Sequence, residues 1–159
     1  VPALTAISQA GLKLLLIGDV PDDLATQLQK LDGITCTGRI NQQSVPAQLL
    51  RARAGLNLMP THLPLTHQTS TKVLEYLAVG LPVLSNDYPW AQGIGSQFTD
   101  RIHILSCLDR SEVWDQTVSQ LPAVQTERES SPNLQALSWH ERLTHLPVWS
   151  ALGLSEAAP

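Results

Sequence analysis

Ser70-Thr-Lys-Val-Leu-Glu75-Tyr-Leu-Ala-Val-Gly80-Leu-Pro82-Val-Leu-Ser85-Asn-Asp87 reads as a helix start, one amphipathic helix, a glycine stop, a short buried strand and a polar strand end. Ser70 or Thr71 is expected to cap the helix, its side-chain oxygen accepting from free backbone N–H groups. Gly80 suits the position just past the last turn, where the backbone is often left-handed. Pro82 then forbids a return to helix. Glu75 lies one turn in, among the apolar Val73, Leu74, Leu77 and Ala78. A helix N-terminus attracts anions, and a carboxylate one turn further accepts hydrogen bonds from vicinal hydroxyls. A phosphate followed by a ribose suits that combination.

On both sides of this stretch, strand and helix signals alternate. Lys13-Leu-Leu-Leu-Ile-Gly18 is a continuous apolar run, as expected for a parallel strand covered on both faces. Pro21 to Leu31 reads as a helix with Pro21, Asp22 and Asp23 in its first turn. Gly33 to Gly38 and Gly55 to Met59 read as strands, with a helix from Val45 to Ala52 between them and Ser44 as its cap. Val1 to Ala10 has helical spacing closed by Gly11. Asp87 to Asp100 reads as loop with one short helix near Ala91 or Ser96. Arg101 to Ser106 is a further strand and Ser111 to Leu121 a helix, followed by a polar linker from Gln125 to Pro132 and a last helix from Asn133 to Leu146. The expected fold is α/β: a Rossmann-like parallel sheet with helices on both faces. Residues 1–150 form one domain in this reading, and residues 151–159 a frayed tail.

The totals narrow the function classes. A chain of 159 residues with 43% apolar residues buries a substantial core. A net charge of −4 gives no electrostatic case for nucleic acid as a partner. No apolar run approaches a membrane span, and Val1 opens no secretory pattern. Cys36 and Cys107 lie in apolar, strand-like contexts and are expected as buried thiols of a reducing, cytoplasmic compartment. Neither belongs to a Cys-x-x-Cys or His-rich pattern, so no metal site is expected.

The central stretch resembles the C-terminal nucleotide-sugar domain of GT-B-fold glycosyltransferases, the group 1, family 4-like retaining enzymes. Lys72, Glu75, Tyr76, Ala78, Gly80, Leu81, Pro82, Val83 and Asp87 match that family's pattern. So do Leu14-Leu-Leu-Ile-Gly18-Asp19, Thr37-Gly38-Arg39-Ile40 and Ala54-Gly-Leu-Asn-Leu-Met-Pro60 upstream, and Ser138-Trp139 downstream. The ordered set makes the likeness specific; each motif alone is weak.

The resemblance implies transfer of a sugar from a nucleotide-diphosphate donor to an acceptor hydroxyl, with retention of anomeric configuration and without metal or other cofactor. It implies that Glu75 binds the ribose hydroxyls, and that Ser70, Thr71 and Lys72 hold the diphosphate. The loop at Gly38 and Arg39 would face the nucleobase, and Gly18 would permit close ligand approach. Many members carry a Glu eight positions before the ribose-binding one; His67 stands there in this chain. Imidazole and the neighbouring amide would take its place toward the transferred sugar. No residue is placed as a general base, and the expected set of catalytic residues is empty.

In that family the domain opens with a strand and an Arg- and Lys-bearing loop that touches the diphosphate, after an N-terminal acceptor-binding domain. Both would precede Val1, so the chain reads as an excised donor-binding domain, inactive by itself. Any peripheral contact with a membrane would be made through that preceding part. Two other readings stand beside this one: a fragment of a nucleotide-sugar 2-epimerase on the same fold, and a non-catalytic module that has lost donor binding.

Overall fold

The computed structural model describes residues 2–121. In chain order it contains α1 (Pro2–Gln9), β1 (Leu14–Leu16), α2 (Asp22–Leu28), β2 (Ile34–Cys36), α3 (Val45–Leu49), β3 (Gly55–Asn57), α4 (Thr71–Ala78), β4 (Val83–Asn86), α5 (Pro89–Gly95), β5 (Ile102–Leu105) and α6 (Ser111–Gln120). Short 3-10 turns at Gln42–Ser44 and Leu65–His67 interrupt two of the connections. The expected linker at 125–132, the helix at 133–146, Ser138-Trp139 and the tail lie outside the described residues, as does the boundary at 150.

All paired strands are parallel, and they form two groups. One contains β1 and β2; the other has the order β3-β4-β5. Parallel neighbours need crossover connections, and the intervening helices supply them. β4 is the central strand, and all four of its residues are buried. Its side chains alternate between two cores. Leu84 joins Ala6, Ile7, Leu105, Trp114 and Leu121, so α1 and α6 cover that face. Val83 joins Val73, Leu77, Ile94 and Ile102, so α4 and α5 cover the other. Each fully buried Leu or Val contributes about 1.5–3 kcal/mol of transfer free energy.

The α4–β4 corner forms as its residues dictate. Gly80 has a φ of 69°, Leu81 N–H donates to the Tyr76 carbonyl (2.8 Å), and Gly80 N–H donates to that of Leu77 (2.9 Å). This paired arrangement satisfies carbonyls that would otherwise be orphaned at the helix end. Across the same corner Gly55 packs against the Tyr76 ring; a Cβ built there would come within 2.2 Å of the ring carbon Cδ2. Only glycine fits that contact.

Two expectations are corrected. Among the described residues the run at Lys13–Gly18 is not covered on both faces: Leu15 is 42% exposed, and β1 pairs on one side only. Described helices cover both faces of β4, but no such double layer covers β1. Cys36 and Cys107 are free and exposed rather than buried. Cys36 ends β2, whose last two residues face outward, and Cys107 turns the chain after β5 with a φ of 55°. The short helix expected near Ala91 is present as α5.

Candidate functional site

The residues singled out in the sequence fall at the C-terminal ends of strands, where ligands of open α/β sheets are bound. They form two groups. Gly18, Gly38 and Arg39 follow β1 and β2. His67, Ser70, Thr71, Lys72 and Glu75 follow β3.

In the first group an antiparallel bridge joins Gly18 to Gly38, with Gly18 N–H donating to the Gly38 carbonyl at 3.0 Å. Arg39 Nε donates to the Asp19 carboxylate. The two side chains are 86% and 60% exposed, so this ion pair sits in water. It brings the two strand ends together but leaves both charges accessible.

The second group rests on a buried polar network. Asn57 ends β3 and is 0% exposed. Its Nδ2 donates to Ser85 Oγ (2.9 Å) and to the Tyr88 hydroxyl (3.1 Å), while its Oδ1 accepts from the Ser70 hydroxyl (2.8 Å). Ser85 Oγ donates onward to the Asn86 carbonyl at 3.0 Å. The Asn86 amide closes a ring with Met59, accepting from its N–H (2.7 Å) and donating to its carbonyl (3.0 Å). This pairing of the Asn86 side chain with the Met59 backbone prolongs the β3–β4 connection beyond the last paired residue of β3. Buried polar groups are stable only when paired, and these pairings fix where the loop after β3 leaves the sheet and where α4 begins.

The network changes the role of Ser70. It occupies the N-cap position, with φ −90° and ψ 108°, but its side chain makes no cap hydrogen bond. Its hydroxyl points back to Asn57 instead. The cap expected from the sequence is therefore absent, for either Ser70 or Thr71. The Val73 N–H donates to the Ser70 carbonyl at 3.2 Å, so among the described residues the Thr71 and Lys72 N–H groups of the first turn are left for another acceptor. Thr71, Lys72 and Glu75 are exposed on the outer face of α4, while Val73 and Leu77 are buried on its inner face. Among the described residues neither Lys72 nor Glu75 has an ion-pair partner. A positive helix end, a free ammonium and a free carboxylate thus follow one another along one exposed surface.

Two tyrosines flank this surface. Burial pushes the Tyr76 phenol above its ordinary pKa, and the neighbouring Glu75 charge adds to the effect. Burial also raises Tyr88, against the opposing influence of its hydrogen bond with Asn57. Both remain neutral near pH 7. Tyr76 donates to the Leu56 carbonyl at 3.4 Å. Tyr88 stacks on Trp90, with ring centroids 6.2 Å apart and an interplanar angle of 25°. His67 ends the Leu65–His67 turn, exposed, on the loop between β3 and α4.

Sequence reasoning missed Asn57, Ser85, Asn86, Tyr88 and Trp90. Asn57 carried one available signal: a polar residue inside the apolar run Gly55-Leu-Asn-Leu-Met59. Among the described residues no group of three or more His, Cys, Asp and Glu side chains is gathered as a metal site would require. Nor is any described helix long and apolar enough to cross a membrane.

Comparison with known proteins gives one family: the model described as "Glycosyl transferases group 1" matches residues 1–107. No curated protein and no solved structure matches the chain.

Proposed function

We propose, for a chain that belongs to the group 1 glycosyl transferases, that this domain binds the nucleoside diphosphate of a sugar donor. The observation that carries the reading is the start of α4. Asn57 diverts the Ser70 hydroxyl, so the helix presents uncapped N–H groups next to Lys72, with Glu75 one turn behind. Diphosphate oxygens accept from the N–H groups and from the Lys72 ammonium. The Glu75 carboxylate accepts from the two ribose hydroxyls. The Gly38–Arg39 loop, held to Gly18, faces the nucleobase.

Charge that develops on the leaving diphosphate is stabilised by the helix end and Lys72 rather than by a metal. Transfer to the acceptor, with retention, takes place against a second, acceptor-binding domain. Holding both substrates in one cleft supplies a large part of such a rate enhancement, about 7–11 kcal/mol in favourable cases, and one wall of a cleft does not supply it. The 159-residue chain is therefore expected to bind donor without turning it over.

Titration of the chain with UDP, GDP and ADP by NMR tests the reading. Amide shifts at Thr71 and Lys72 are expected for at least one nucleotide, with a Kd of about 0.1–1 mM. Glu75→Gln should weaken that binding by about 1.5–3 kcal/mol, because an amide offers one acceptor oxygen where a carboxylate offers two. The 2′,3′-dideoxy nucleotide should bind both forms alike. Saturating nucleotide without shifts at residues 71–75 would sink the proposal and favour a module that has lost donor binding.

A further inference from the structure

The buried network beneath α4 has a fixed order of donors and acceptors, and that order starts on β4. A backbone carbonyl only accepts, so the bond from Ser85 Oγ to the Asn86 carbonyl (3.0 Å) uses the one hydroxyl proton of Ser85. Toward Asn57, at 2.9 Å, Ser85 can then only accept. The Asn57 amide nitrogen therefore faces Ser85, and its oxygen faces the other way. That oxygen meets Ser70 at 2.8 Å, so the Ser70 hydroxyl has to donate. The second Nδ2 proton of Asn57 goes to the Tyr88 hydroxyl at 3.1 Å.

Asn57, Ser70, Ser85 and Tyr88 are all buried. An amide turned over would set its oxygen against a Ser85 with no proton to give, and a buried mismatch of that kind is costly. Tyr88 alone does not settle the orientation. Among the described residues its own hydroxyl proton has no acceptor, so it can equally donate to an amide oxygen. Ser85 decides, and Tyr88 supports it by taking the second proton.

At the far end of the network the Ser70 proton is committed to Asn57, and its side chain makes no cap bond with α4. A side-chain cap accepts from the N–H of the second or third helical residue, here Lys72 or Val73. Val73 already donates to the Ser70 carbonyl at 3.2 Å, so the Lys72 N–H is the group at stake.

We infer that Ser85 is a positioning residue for donor binding, with Tyr88 in support: acting through Asn57, it turns the Ser70 hydroxyl away from the α4 start and keeps the Lys72 N–H open for a phosphate oxygen. Neither residue touches the ligand in this arrangement. The inference rests on the donor reading above and extends it to residues on and after β4. Removing the Ser85 hydroxyl lifts the constraint. The Asn57 amide is then free to turn over, its oxygen accepting from Tyr88 and its nitrogen facing Ser70. Ser70 no longer has to donate, and its hydroxyl divides between Asn57 and the cap.

Amide hydrogen exchange and titration with UDP, GDP and ADP, both followed by NMR on the full chain, test this. In Ser85→Ala the Lys72 amide should exchange about 2- to 5-fold more slowly than in the unmodified chain, the range that a partial to full serine cap confers. The nucleotide that binds should bind more weakly by a similar factor. Ser85→Cys is close to serine in size and presents only a weak acceptor, so it should change both readouts in the same direction and serves where Ser85→Ala does not fold. Tyr88→Phe keeps the ring that stacks on Trp90 and should have a smaller effect than either.

Ser70→Ala separates positioning from general loosening, because it leaves no hydroxyl to cap with. In that background Ser85→Ala should change neither Lys72 exchange nor nucleotide affinity any further, although it still lowers stability. Lys72 exchange that is unmoved in both Ser85 variants overturns the inference. So does a slowing that persists without the Ser70 hydroxyl, or a slowing that leaves nucleotide affinity unchanged. If the unmodified chain shows no nucleotide shifts at Thr71 and Lys72, the donor reading fails by itself, and the ligand-free exchange arm still decides whether Ser85 sets the Ser70 hydroxyl.

Discussion

The β1–β2 pair and the β3–β4–β5 sheet carry the two halves of the same proposed site, yet they hold them by different physics. At the end of β3, Asn57 is fully buried and bonded to three other segments of the chain. At the ends of β1 and β2, one backbone bridge and one solvent-exposed ion pair make the connection. The first half is fixed by groups that cannot be left unpaired; the second by groups that lose little when they separate. The part proposed to bind phosphate and ribose is thus preorganised, and the part proposed to face the base is held loosely. Backbone preorganisation matters most where charge must be met at a fixed place.

The sharpest way to break this comparison is to remove Asn57. Asn57→Leu keeps the approximate volume, strands the Tyr88 hydroxyl in the core and removes the bond that Ser85 Oγ accepts, while Ser85 keeps its bond to the Asn86 carbonyl. Each stranded buried group costs about 1–3 kcal/mol. The Ser70 hydroxyl is freed to cap α4, which returns about 1 kcal/mol. The net expectation is a loss of about 2 kcal/mol in urea unfolding, against less than about 0.5 kcal/mol for Thr35→Ala on the exposed face of β2. Nucleoside diphosphate binding should also fall in Asn57→Leu, because the new Ser70 cap consumes an N–H group meant for phosphate. Equal losses for the two variants would mean that the halves are held alike.

A smaller effect should appear at alkaline pH, and only on the better-ordered side. The chain has two tyrosines, Tyr76 and Tyr88, and both belong to the three-stranded half. Burial raises each phenol, the Glu75 charge adding at Tyr76 and the Asn57 bond subtracting at Tyr88. Below the ordinary value of about 10 both states hold the protons, and the stabilisation is complete. Above it the unfolded chain releases them first, so the folded state binds more protons and stability falls as pH rises. Unfolding midpoints measured from pH about 9 to about 11 should decline, and the decline should be shallower in Tyr76→Phe and in Tyr88→Phe. An unchanged slope in both variants would assign the alkaline loss to other groups.

The same contrast explains what was legible in the sequence. The stretch from Ser70 to Asp87 is decided locally: Gly80 and Pro82 leave little choice, and α4 and β4 stand where those residues put them. The α/β class followed from similar local signals, repeated. What the sequence hid depends on segments far apart in the chain. The bonds of Asn57 reach residues 13, 28 and 31 positions away. No local pattern announces that Ser70 will turn from its own helix toward β3. Leu15 and Cys36 were misjudged for a related reason: an apolar strand pattern says that burial is wanted, not which layer provides it. The turn at Leu65–His67 meets α5 although a helix and a strand separate the two in the chain. His67 was singled out from its spacing to Glu75, and its neighbour in space, Trp90, had no comparable signal.

The smallest effect is expected at Asp19 and Arg39, and it sharpens the comparison because the residues are charged and conspicuous. Their side chains are 60% and 86% exposed, so water screens their attraction and the pair must order two mobile groups. A double-mutant cycle with Asp19→Asn and Arg39→Gln should give a coupling of about 0.2–1 kcal/mol at low salt, vanishing near about 1 M. The bridge between Gly18 and Gly38 uses backbone atoms only and should survive both changes. Arg39→Gln is therefore expected to alter nucleoside diphosphate affinity by less than about 2-fold, where Glu75→Gln, by loss of a charged hydrogen bond, costs about 10-fold or more. In the proposed site the loop meets the base through its peptide groups, which the Arg39 side chain does not supply. If Arg39→Gln weakens binding as much as Glu75→Gln while the stability coupling stays below about 1 kcal/mol, the guanidinium itself contacts the ligand, and the looser half of the site contributes charge as well as shape.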